Sequence, residues 1–233
     1  MQNKFKLINA PSFIFFEPEL TTYINNFIDN ITKFFNIQEY QKPSIHLYDD
    51  KEKFKEISKA PYEIGPLGGC FDYFGVRVYI DLSKLNKEKL YTCISHELTH
   101  WFYLNYIQEK GIKNRVVWFD EGLAANLSQE HHDLYDDSIL ENYLQRNLYN
   151  QSKIIPDITY LTKHGNKFGQ FIDTETNKYS GYVWSYLMVR YLIETLPKEE
   201  LDKIMRSKKE VEILGEHLPE ETYNYYKKKI KVK

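Results

Sequence analysis

The sequence predicts an α+β protein, mixed in its first half and helical in its second. Three observations carry that expectation. Runs that read as strands, such as the alternating Val76, Val78 and Ile80, belong to the first half. Beyond Glu121 the apolar residues recur at helical spacing, with Pro156, Gly165, Gly169, Pro197 and Pro219 as punctuation. Finally, 233 residues that are 42% hydrophobic and 16% aromatic suffice for one substantial core or for two lobes sharing one.

Taken in order, Phe13 to Phe16 reads as a short strand. Pro18, at a first helical position, opens an amphipathic helix with Leu20, Tyr23, Ile24, Phe27, Ile28, Ile31, Phe34 and Phe35 on one face. Ser44 to Tyr48 reads as a strand, and Asp49 to about Ser58 as a short charged helix. A loop from Pro61 to Cys70, holding Gly65, Pro66, Gly68 and Gly69, leads into one strand from Phe71 to Leu82. Asn86 serves as N-cap to a helix that runs to about Gln108, and Gly111 stops it. Leu90, Cys93, Ile94, Leu98, Trp101, Phe102 and Ile107 form its apolar face, where Cys93 reads as a buried thiol. Another helix starts near Trp118, and helices are expected over about 122–131, 137–149, 180–195, 198–206 and 219–229. No repeat, low-complexity tract or flexible linker interrupts the chain.

Charge excludes some functions. Lys and Arg number 31 against 33 Asp and Glu, a net charge of −2, so no polyanionic partner is expected and nucleic acid is not favoured. Five Lys between Lys227 and Lys233 read as a solvated helix end that suits the helix dipole, a membrane or nucleic-acid arm being the alternative. No segment approaches the roughly twenty apolar residues of a membrane span, and no signal-peptide run is found, so a cytoplasmic protein without a membrane partner is expected. Cys70 and Cys93 form no CxxC pair, so no disulfide framework is indicated. Oligomeric state is not legible from these features.

The chemistry is concentrated in His96-Glu97-Leu98-Thr99-His100 and, after twenty intervening residues, Glu121 within Trp118-Phe119-Asp120-Glu121-Gly122-Leu123-Ala124. Imidazoles four apart on a helix are rotated by about 40° and separated by about 6 Å, so both can converge on one ion. Glu97 lies about 100° round from His96, which sets its carboxylate beside the ion as a base for water. Glu121, on the first turn of the next helix, is placed to turn inward. Two His, one carboxylate and water are the open ligand set of catalytic zinc, which lowers the pKa of its water from 15.7 to about 7 and polarises a carbonyl. One Zn2+ per chain is therefore expected. The remaining imidazoles, His46, His131, His132, His164 and His217, read as satisfied or solvated, with His164 a loop residue that could line a cleft.

These two motifs, over about residues 90–126, resemble the gluzincin metallopeptidases, especially the aminopeptidase-type and the small peptidase-MA-like families. The resemblance implies a zincin-like two-lobe fold. Its N-terminal lobe, 1–110, would hold a small twisted sheet and the metal helix, and its C-terminal lobe, 111–233, would be mostly α-helical. The two would form one catalytic unit with the site in the groove between them. It also implies a zinc-dependent peptidase acting on a peptide or protein, with His96, His100 and Glu121 as ligands and Glu97 as general base. Tyr182, nine residues before Tyr191-Leu192, resembles the family's tyrosine that points at the substrate carbonyl; Tyr179, a turn earlier, is its rival. In such folds an edge strand binds substrate backbone, and Phe71 to Ile80 with its Gly68-Gly69 approach is the candidate, an ordinary glycine turn being the alternative.

Departures from other HExxH patterns narrow the reading. A metzincin needs Gly and a third His just downstream, where this chain has Trp-Phe-Tyr-Leu-Asn-Tyr. The thermolysin-type Glu-x-x-x-Asp fails at Ala125, and the surroundings of Cys70 do not fit a peptide deformylase. Aminopeptidase-type relatives carry Gly-x-Met-Glu-Asn, whose Glu holds the substrate amine; here Gly68-Gly69-Cys70-Phe71-Asp72 lacks that acid, although Asp72 could serve. Endopeptidase action is therefore favoured over exopeptidase action. The alternative function is a zinc-binding, non-hydrolytic relative acting as a binding or regulatory module.

Overall fold

The structure is a computed structural model describing residues 3–9, 11–59, 64–128, 158, 161 and 181–231. The chain divides into two compact units, Met1–Ile107 and Gln108–Lys233. The first is α+β and the described part of the second is helical.

In the first unit, β1 (Lys6–Asn9), β2 (Ser44–Tyr48), β3 (Leu67–Asp72) and β4 (Gly75–Ile80) form one sheet in the order β1-β2-β4-β3. The first two pairings are parallel, and β3 is antiparallel to β4 and forms an edge among the described residues. Successive side chains of a strand face opposite ways, and the unit uses both faces. Ile45, Leu47, Val76 and Val78 are buried on the side of α1 (Glu17–Phe35) and α3 (Lys87–Phe102), where α3 packs on β3, β4 and α1. On the other side α2 (Lys51–Ser58) sets Phe54 against Ile64 and Tyr79, with Tyr48 and Cys70 alongside.

Helix boundaries in this unit follow local chemistry. Pro occupies the first turn of α1 and Asn36 ends it in the left-handed conformation. Asp50 caps α2 by accepting from the Lys53 amide, and Asn86 caps α3 by accepting from the Lys89 amide at 2.9 Å. Beyond Phe102 the expected helix does not continue as α-helix but widens into a π-helical turn over Tyr103–Ile107.

Two strand expectations are corrected. Pro11–Phe16 is a 3₁₀ helix, because Phe13 and Phe16, three apart, are the buried pair while Ile14 and Phe15 stay 65% and 70% exposed. The single strand expected from Phe71 to Leu82 is a hairpin that begins at Leu67, inside the expected loop. Asp72 accepts from the amides of Phe74 at 2.9 Å and Gly75 at 3.2 Å, reversing the chain over Tyr73 and Phe74. A Cβ on Gly75 would lie 1.9 Å from the Ser44 carbonyl oxygen, so pairing with β2 requires glycine there.

The second unit contains α4 (Val117–Leu127), α5 (Gly181–Thr195), α6 (Lys198–Arg206), α7 (Lys208–Gly215) and α8 (Leu218–Lys231). The start near Trp118 and the segment 122–131 are one helix, α4, that stops at Leu127. The expected helix 137–149 lies outside the described residues, and α7 was not foreseen. Helix α4 packs on α5, so closely that a Cβ on Gly122 would stand 2.3 Å from the Ser185 carbonyl oxygen and 2.5 Å from a Val189 methyl. Gly122→Ala is expected to cost about 3 kcal/mol by forcing the helices apart; an unchanged urea midpoint would contradict the contact.

Helix α8 is tied to α5 through Glu194, which accepts from Lys229 Nζ at 2.7 Å, Tyr225 Oη at 2.8 Å and Arg190 Nε at 2.9 Å. Burial alone would raise the Glu194 pKa, but these donors outweigh it and hold the carboxyl below its ordinary range. Lys229 also lies 4.7 Å from the Tyr225 ring centroid, so part of the C-terminal lysine cluster is structural. Among the described residues no helix is long and apolar enough to cross a membrane.

Candidate metal centre

Helix α3 sets the two imidazoles. Leu98, Trp101 and Phe102 are buried beside them, and Thr99 Oγ1 donates to the Ser95 carbonyl at 2.9 Å, so this turn is held on both sides. The Nε2 atoms of His96 and His100 are 3.0 Å apart, with ring centroids at 4.7 Å and ring planes 80° apart. His100 is buried, and Phe71 of the edge strand stacks on it at 5.2 Å.

Glu97 faces the same strand. A Cβ on Gly69 would lie 2.6 Å from Glu97 Oε1 and 2.7 Å from its Cγ, so glycine makes the room that this carboxylate occupies. Gly68, one residue earlier, faces the opposite way, toward Ile64 and Phe54. Of the two glycines, Gly69 is therefore the one beside the HExxH residues.

Glu121 lies in α4, next to Asp120, which is fully buried. Arg115 spans both: its Nη2 donates to Glu121 Oε1 at 2.7 Å and its Nε to Asp120 Oδ2. The fork orients Glu121 and sets a guanidinium against the buried Asp120 carboxylate. Arg115→Met is expected to cost about 3 kcal/mol, because Asp120 loses its guanidinium partner. Denaturant unfolding checks this, and a loss below about 1 kcal/mol would contradict it.

One nitrogen from each of His96 and His100 and one Glu121 oxygen lie within 4.8 Å of one another. The donors suit zinc in kind and number, since two imidazoles and a carboxylate leave a fourth position open. The imidazole spacing also suits it: Zn–N bonds of about 2.0–2.1 Å at a tetrahedral angle put the nitrogens about 3.3 Å apart, against 3.0 Å here.

Other residues singled out in the sequence fall elsewhere. Tyr182 is in the first turn of α5 and 40% exposed; Tyr179, His131, His132 and His164 lie outside the described residues. Asp72 is committed to its own hairpin, its Oδ1 accepting the turn amides and its Oδ2 pairing with Arg77. Burial, and then the Glu97 carboxylate, push the Cys70 thiol up to about 12. Cys93 is half-buried rather than buried. His46 sits in β2 within 3.1 Å of Ser44 Oγ, and burial followed by the Arg77 charge lowers its pKa. Two contributors were missed: Phe71, assigned only to a strand, and Arg115, six residues before the Glu it holds.

No protein-family model matches the chain, and no curated protein or solved structure shows significant similarity to it.

Proposed function

We propose that this chain is a zinc-dependent peptidase of the gluzincin type that cuts within peptide chains. His96, His100 and Glu121 hold one zinc ion, and Glu97 is the general base. The observation that carries this reading is the donor set: two imidazole nitrogens and a carboxylate oxygen within 4.8 Å, with a further carboxylate between the two His in sequence. A zincin-like fold is part of the proposal, since an α+β unit bearing HExxH and a helical unit bearing the downstream Glu are the components it requires.

When bound, zinc supplies Lewis acidity for a substrate carbonyl and lowers the pKa of water to about 7. Glu97 accepts the proton of the attacking water on its carboxylate and delivers it to the leaving amine nitrogen. Phe71 covers one face of His100 and keeps solvent from it. Among the described residues β3 pairs only with β4, which supports binding of substrate backbone by strand addition on its other side. Endopeptidase action is supported by Asp72, whose oxygens are engaged in the turn and with Arg77 rather than available to a substrate amine.

In this reading the Tyr182 hydroxyl donates to the carbonyl oxygen as negative charge develops on it. Tyr182→Phe is then expected to lower kcat about a hundredfold with little change in KM; an unchanged kcat would remove Tyr182 from the mechanism. The reading as a whole is tested by incubating zinc-loaded protein with an unstructured protein and reading fragments by mass spectrometry. Internal cleavage that a chelator stops and zinc restores is expected. No cleavage across a broad peptide library at full zinc occupancy would overturn hydrolysis in favour of a binding role.

A further inference from the structure

On the first unit a surface pocket of about 430 Å³ is lined by four aromatic residues, Tyr40, Tyr73, Trp101 and Tyr106, and by Glu39, Gln41 and Asn105. Its volume falls in the range of small-molecule sites. Two of the rings arrive from elements with unusual geometry. Tyr73 is carried by the turn between β3 and β4 and is 66% exposed, and Tyr106 by the π-helical turn, a feature often found at functional sites.

The hydrogen bonds of the pocket decide what it can recognise. The Trp101 indole N–H donates to the Tyr73 carbonyl at 3.0 Å, the Gln41 amide donates to the Tyr106 hydroxyl at 2.9 Å, and Asn105 Nδ2 donates to the Trp101 carbonyl at 2.8 Å. Three donors are thereby consumed in fixing the walls. Trp101 and Tyr106 meet at a centroid distance of 5.4 Å and an interplanar angle of 61°, which forms a corner rather than a flat stack. No Lys or Arg lines the pocket. Trp101, 2% exposed, forms the base, and the more exposed rings of Tyr40, Tyr73 and Tyr106 line the pocket with the Glu39 carboxylate; π-electron density and the carboxylate both attract positive charge.

We infer that this pocket binds an alkylated ammonium group, the trimethylammonium head shared by choline and by trimethylated lysine. A primary ammonium needs hydrogen-bond acceptors on all its N–H groups, whereas methylated nitrogen presents only weakly hydrated, positively charged methyls that aromatic faces can surround. Anions are repelled by Glu39. None of the pocket's residues is among the proposed metal ligands or the proposed base, so its failure would leave the peptidase reading untouched.

The test is a titration of the 15N-labelled full chain, followed at the Trp101 indole N–H signal. The probes are choline and its neutral isostere 3,3-dimethylbutan-1-ol. A peptide with trimethylated lysine, its unmodified counterpart and maltose complete the set. Saturable choline binding at least tenfold tighter than the isostere is expected, with Glu39→Gln and Tyr73→Ala each weakening it about fivefold or more. Both substitutions are at exposed positions, and the parent spectrum elsewhere shows that the fold is kept. Tighter binding of the methylated peptide than of choline would assign the head group to a protein side chain, and the reverse to a free small molecule. Equal affinity for choline and the isostere, unaltered affinity in Glu39→Gln, or preferential binding of maltose would each overturn the inference.

Discussion

Glu97→Gln is expected to lower kcat for peptide hydrolysis about a thousandfold while leaving the fold and zinc content at parent values. The amide keeps the shape of the side chain over Gly69, where the absence of a Cβ leaves room for it, so the space it fills is unchanged. It cannot accept a proton from water, and general-base assistance contributes roughly a hundredfold to ten-thousandfold in such reactions. KM should change little, because in the proposed mechanism Glu97 would act on the water rather than on the bound peptide. Steady-state rates on a cleavable peptide, with metal analysis of the same samples, check it. A variant that retains a tenth or more of the parental rate would remove Glu97 from the role of base.

How far the fold could be read from sequence differs among its elements. Helix α3 was legible because Asn86 caps it and its apolar residues recur at helical spacing around Leu90, Ile94 and Leu98. The hairpin was hidden because Gly68 and Gly69 have low strand propensity, so β3 looked like a loop. Its edge is held by pairing with β4 and by the Asp72 turn, neither of which is a local propensity. Phe13 to Phe16 misled for a different reason. Four apolar residues in a row carry no period, and only burial reveals that positions three apart face inward.

The candidate site divides in the same way. His96, Glu97, His100 and Glu121 were legible because chemistry constrains their identity and helix geometry constrains their spacing. Gly122, read only as part of a motif, has a packing cause in the Ser185 backbone some sixty positions downstream. Arg115 and Phe71 carried no local signal, since an arginine before a helix and a phenylalanine in a strand are ordinary; only the folded chain puts one on Glu121 and the other on His100.

Removing one member of the proposed ligand set has the second large expected effect. An imidazole bonded directly to zinc contributes far more than a residue that only hydrogen-bonds a ligand, whose loss already costs about 10–100-fold in metal affinity. His100→Ala leaves two of three protein donors and opens the buried space under Phe71, so the variant should not retain metal through dialysis. Circular dichroism of the metal-free parent and variant separates loss of ligand from loss of fold. The direct measurement is zinc content by atomic absorption after exhaustive dialysis, on the parent and on His100→Ala at equal protein concentration. About one zinc per chain in the parent and close to none in the folded variant is the result predicted; equal zinc in the two proteins would contradict the metal centre.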